Sequence, residues 1–115
     1  MKTSLRLKSI ERQIAQVKEE LARLGPLHPG SLSRQYNVCG KPGCRCKDPK
    51  NPRRHGPYHK VSYVYRGRST SRFVSRDQVK EIQAELANYK RFRKLTDEWV
   101  GLTLKLAKEK RKLTA

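Results

Sequence analysis

The stretch that most limits how this chain can fold runs from Cys39 to His59, CGKPGCRCKDPKNPRRHGPYH. It holds all three cysteines of the chain, at C-x4-C-x-C, and two of its histidines, His55 and His59. Residues 47–57 contain three prolines and almost no apolar side chain. Such a segment buries too little surface to hold a shape unaided. A thiolate is a soft metal ligand and a neutral imidazole a borderline one, so the donor set suits a tetrahedral zinc of the Cys3His kind. Pro42-Gly43 and Gly56-Pro57 punctuate the segment with turns that fold short loops back around an ion. We read Cys39, Cys44, Cys46 and His55 as the ligands of a zinc ion. His59 is the rival fourth ligand, but at the start of a strand its ring can point away. His28, in LHPG, reads as a loop residue. The spacing is not the doubled C-x2-C that marks a metal most strongly. A disulfide plus a spare thiol is the competing reading, opposed by the odd count and the absence of a signal peptide. Three unrelated loop cysteines are opposed by their crowding beside Arg45 and Lys47, with no apolar pocket near.

The charge is as uneven as the cysteines. The formal net charge is +18, and residues 28–76 carry 12 basic side chains against the single acidic Asp48. A dense field of one sign destabilises a small fold unless a counter-charge neutralises it. Nucleic acid does so through counterion release. An anionic membrane is the rival, but it calls for an amphipathic helix, and this block reads as loop and strand. A merely solubilising surface would intersperse both signs. No apolar run approaches the length of a membrane span, and Met1-Lys2-Thr3 leads into a charged periodic segment rather than a signal-peptide core. We therefore expect a cytoplasmic protein with no membrane partner, nucleoid-associated if DNA is what it binds.

Apolar residues make up 35 % of the chain, enough for one small domain whose core is marginal without a metal or a partner. Leu7, Ile10, Ile14, Val17, Leu21 and Leu24 recur at alternating steps of three and four, a coiled-coil seam. The spacing predicts a helix over 4–24, ended by Gly25-Pro26 with glycine in the left-handed position after the last turn. Six buried seam residues represent about 9–15 kcal/mol of gross transfer free energy, mostly offset by chain ordering. Residues 25–34 read as a linker and Tyr36-Asn37-Val38 as a short extended entry to the cysteine loop.

Residues 58–74 read as a β-hairpin turning at Arg66-Gly67. If Tyr65 pairs with Arg68, Tyr63 opposes Thr70 and Val61 opposes Arg72. One face then carries Val61, Tyr63, Tyr65, Arg68, Thr70 and Arg72, and the other Lys60, Ser62, Val64, Ser69, Ser71 and Phe73. Tyrosines beside arginines stack on bases and pair with phosphates, or else pack on helices with arginine lying over them. Ser75 and Gln78 fit a capping box. The apolar positions Val79, Ile82, Leu86 and Tyr89, then Phe92, Leu95, Trp99, Leu102, Leu106 and Leu113, predict one long helix over about 76–113. The phase slip between the two sets marks a bend near Asn88 or a break into two. Gly101 either weakens this helix or admits a neighbouring backbone.

The expected fold class is thus α+β, mostly α. A coiled-coil-like helix (1–25) precedes a zinc-bound loop with a hairpin (26–75). A long helix (76–115) packs on the first or on a second chain.

With these residues in hand, the clustered motif Gly30-Ser31, Tyr36, Cys39-Gly40-Lys41-Pro42-Gly43-Cys44-Arg45-Cys46, His55-Gly56-Pro57-Tyr58 and Asn88-Tyr89-x-Arg91-Phe92 resembles a family of small bacterial and archaeal proteins of unknown function. These are often met near transposons, phages and other mobile elements. The resemblance covers about residues 30–100. It implies that Cys39, Cys44, Cys46 and His55 act as a unit, and it favours DNA or RNA as a partner. It supplies no catalytic residue.

The function these features favour is zinc-stabilised binding of nucleic acid. Arg34, Lys41, Arg45, Lys47, Arg53, Arg54, Tyr58, Lys60, Arg66, Arg68 and Arg72 would form the contact surface, through phosphates more than base edges. The long heptad stretches support an alternative, a helical adaptor that binds a recombinase or transposase partner or forms a homodimer. An enzyme is disfavoured. Metal-assisted phosphoryl chemistry needs clustered carboxylates, and a thiol redox site needs C-x-x-C on a βαβ unit.

Overall fold

All six seam positions predicted for the first helix, from Leu7 to Leu24, are buried or half-buried, and nearly every residue between them is exposed. The computed structural model describes residues 2–37, 41–51, 53 and 55–114, the side chains of Lys2, Thr3, Asn37, His55 and Thr114 excepted. Helix α1 spans Lys2–Arg23, strand β1 Ser31–Asn37, β2 His55–Tyr65 and β3 Arg68–Val74, and helix α2 spans Val79–Thr114. Single 3-10 turns lie at Arg45–Lys47 and Arg76–Gln78. The fold is α+β and mostly helical, as the periodicities imply. No helix among the described residues is long and apolar enough to cross a membrane.

The chain divides into two units, Met1–Leu27 with Ala87–Ala115, and His28–Leu86. In the helical unit α1 and the later part of α2 run antiparallel. Arg6 pairs with Glu109, while Glu20, at the other end of α1, receives a 2.8 Å bond from Arg91. Between them Lys18 lies over the Trp99 ring at 5.1 Å. Ile10, Val17 and the fully enclosed Leu95 are buried here. Phe92 and Leu113, expected in the seam, remain exposed. The end of α1 also differs from expectation. Gly25 is not among the residues with positive φ. It instead stands 3.2 Å (from its would-be Cβ) from the Asn88 amide, which donates to the Pro26 carbonyl at 2.8 Å. Absence of a side chain admits the tie, so helix stop and inter-helix tether share one residue.

In the second unit the sheet has three antiparallel strands in the order β1-β2-β3. The hairpin register matches the sequence reading: Val61 opposes Arg72, Tyr63 opposes Thr70 and Tyr65 opposes Arg68. Arg66 at φ 51° and Gly67 at φ 79° give the doubly left-handed turn whose twist suits two strands joined by two residues. The strand over Ser31–Asn37 is a correction, because these residues fell mostly in the predicted linker. They are polar and poor in β-branched side chains. They become a strand by pairing with the open edge of β2, from Ser31↔Ser62 to Gln35↔Tyr58, with an irregularity between Gln35 and Asn37. Gly30 lets β1 begin there: at φ 101°, a Cβ on it would stand 2.0 Å from the Ser62 carbonyl oxygen.

The core of this unit is Val61, Val74, Ile82 and Leu86, with Leu32 and Val79 packed against it. Helix α2 is continuous, with no break at Asn88. Its phase slip reflects service to two cores, Ile82 and Leu86 in one and Leu95 in the other. The expected capping box does not form: Ser75 makes no side-chain cap bond, and the entry tightens into a 3-10 turn closed by Gln78 N–H on the Ser75 carbonyl.

Candidate nucleic-acid interface and cysteine loop

Alternation along the paired strands sorts the sheet into two faces. The face of Val61 and Val74 packs on the first turns of α2. Tyr63 lies on this side too, half-buried and edge-on to His28 at 5.1 Å between ring centroids. His28 is itself a pinned loop residue. Its N–H donates to the Glu85 carbonyl and its Nδ1 lies 2.7 Å from the Pro29 carbonyl. The face expected to stack bases on Tyr63 is therefore the one that builds the core. Register alone cannot tell which side is covered, and Leu32 from the unforeseen third strand settles it. Tyr65, near the turn, stays exposed, with the Arg66 guanidinium 5.3 Å from its ring centroid.

The opposite face is open. It presents Tyr58, Lys60, Ser62 and Val64 of β2, Ser69, Ser71 and Phe73 of β3, and Ser31 and Ser33 of β1. Phe73 is 65 % and Tyr58 41 % exposed, and their rings meet edge-on at 6.1 Å. Lys60 stands opposite Phe73 in register. The Ser62 and Ser71 hydroxyls share a 3.0 Å hydrogen bond. Phe73 was missed as a candidate, although its alternation with the serines was the available signal. Arg34, Arg68 and Arg72 lie on the core-side face but on the two edge strands, where all three are exposed.

Backbone hydrogen bonds tie together the described part of the cysteine loop. Cys44, in extended conformation, precedes the 3-10 turn, and Lys47 N–H donates to its carbonyl at 3.0 Å. Arg53 N–H reaches back to the Arg45 carbonyl at 2.9 Å, closing the proline-rich segment on itself. Asp48 accepts from Lys50 N–H at 3.0 Å, so the one carboxylate of the basic block is engaged locally. Cys44 is half-buried. Cys46 is only 2 % exposed, yet it stands outside the apolar core cluster, between exposed Arg45 and Lys47. Cys39 and Arg54 lie outside the described residues, as does the His55 side chain. The His55 backbone opens β2 opposite Asn37. Among the described residues no group of three or more metal-binding side chains comes together. His59, half-buried, pairs with Arg34 and Val74. Lys41, Arg45, Lys47 and Arg53 are exposed around the loop, and Lys60 is half-buried.

Residues 7–84 match the family described as a domain of unknown function, DUF6788. The chain belongs to this family. The match takes in most of α1, the cysteine loop, the whole sheet and the start of α2, and so reaches further toward the N-terminus than the motif cluster. Among curated proteins and among solved structures, none matches the chain.

Proposed function

We propose that this DUF6788 protein is a non-catalytic nucleic-acid-binding protein whose cysteine loop is held by zinc, and that it serves a mobile element such as a transposon or phage. One observation carries the binding reading. Arg34, Arg45, Arg53, Arg68 and Arg72 of the sheet unit are exposed and have no carboxylate partner among the described residues. The three described ion pairs all belong to the helical unit. Unneutralised cations on a small fold repel one another, and a polyphosphate relieves that repulsion. Burial of Cys46 supports the metal. Zinc on Cys44 and Cys46, with Cys39 and His55 completing the set, would close the loop that displays Lys41, Arg45, Lys47 and Arg53. The engagement of Asp48 by Lys50 supports a non-catalytic role, and the mobile-element setting rests on the motif resemblance.

The test is titration of a labelled oligonucleotide across a range of salt. If about five of these cations meet phosphates, the log–log slope of affinity against salt is about −4 to −5 for duplex. A slope near zero refutes the reading. Elemental analysis is expected to find about one zinc per chain, lost in Cys46→Ser; a metal-free native protein removes the zinc from the account.

A specific observation keeps the adaptor reading as a second proposal. Thr96, Trp99, Val100, Thr103 and Leu104 line an apolar groove on α2 of about 270 Å³, with Val100 and Leu104 largely exposed. A partner helix laid there would cover them.

A further inference from the structure

We infer that the open face of the sheet binds single-stranded nucleic acid, stacking unpaired bases on Phe73 and Tyr58, and that this surface discriminates against duplex. The inference rests on the nucleic-acid reading above and deepens it. Two large rings, 65 % and 41 % exposed, sit on a face otherwise made of serines, Lys60 and the exposed Val64. The rings meet at 64° rather than stacking on each other, and Phe73, 65 % exposed, keeps ring surface available to a planar partner. Ser62 and Ser71 are short, so a base can lie flat across the strands beside the rings. Lys60, opposite Phe73 in register, places a cation beside the stacking site for the connecting phosphate. Base–aromatic stacking requires bases that are not already stacked on one another. Duplex hides them. Charge selects the occupant. A second copy of the chain would bring the same cationic block, 12 basic residues against one acidic over residues 28–76, against itself, whereas a single strand brings one negative charge per nucleotide.

The experiment is fluorescence anisotropy with a labelled 15-nucleotide oligothymidylate and a labelled 15-base-pair duplex, at two salt concentrations. Phe73→Ala and Tyr58→Ala are each expected to weaken single-strand binding by about 5- to 100-fold. Duplex binding is expected to stay within about twofold, because phosphate contacts dominate it. Tyr58→Phe keeps the ring and is expected to bind as the parent does. Circular dichroism checks that each variant folds. As an independent readout, Phe73→Trp in a Trp99→Phe background puts a reporter on the face, and saturable quenching by the oligothymidylate is expected. Equal losses for single strand and duplex overturn the inference, as does an unquenched reporter. Self-association of the parent that Phe73→Ala abolishes also overturns it, by assigning the face to a second copy. A parent that binds neither oligonucleotide fails the nucleic-acid reading itself. A parent that binds with a steep salt slope but ignores Phe73→Ala fails only the stacking inference.

Discussion

Replacing Gly30 by alanine tests how β1 is held against β2. At φ 101° the backbone lies where an L side chain is strained, and the added Cβ would stand 2.0 Å from the Ser62 carbonyl oxygen and 2.7 Å from the Tyr63 Cβ. Neither neighbour can yield easily. Ser62 is in the central strand, whose other edge is held to β3 from His59↔Val74 to Tyr65↔Arg68. The start of β1 must therefore move off, with loss of the Ser31↔Ser62 end of the ladder. Backbone strain of about 1–3 kcal/mol and two or so ladder bonds at about 1 kcal/mol each give a destabilisation of about 3–5 kcal/mol. That is a large part of the 5–15 kcal/mol or so that holds a typical domain. Gly43→Ala is the control: its φ is 78° but nothing lies within 4 Å of the new Cβ, so only the left-handed cost of about 1–2 kcal/mol applies. Urea unfolding gives the two free energies, and amide hydrogen exchange shows whether the loss is centred on β1 and β2. If Gly30→Ala costs no more than Gly43→Ala, the close approach of the two strands is wrong.

Two further substitutions probe the helical unit. Nothing lies within 4 Å of a Cβ built on Gly101, so Gly101→Ala is expected to stabilise α2 by about 1 kcal/mol and raise the melting temperature by a few degrees; a loss of stability would show that another backbone does approach there. The Glu20–Arg91 pair is 37 % and 45 % exposed, so a double-mutant cycle is expected to give a coupling below about 1 kcal/mol that fades in high salt; a larger, salt-insensitive value would contradict that exposure.

Local and periodic signals carried much of the architecture. The 3-4 spacing of Leu7 through Leu24 specified a helix and its buried stripe, because side chains on a 3.6-residue spiral sort themselves by spacing alone. Aromatic and β-branched alternation around Arg66-Gly67 pointed to the hairpin, and pairing Tyr65 with Arg68 across a two-residue turn gave the register the strands adopt. The cysteine spacing suggested candidate metal donors, because ligand chemistry belongs to residue type. Three matters needed distant parts of the chain together. Ser31–Asn37 is a strand only because β2 offers an unpaired edge. Cys46 is buried at 2 % exposure although its neighbours in the sequence, Arg45 and Lys47, are exposed. Alternation separates two faces of a hairpin but carries no sign for which is inside. Leu32, Ile82 and Leu86, all outside the hairpin, cover the Val61 side, and so turn Phe73 and Tyr58 rather than Tyr63 outward.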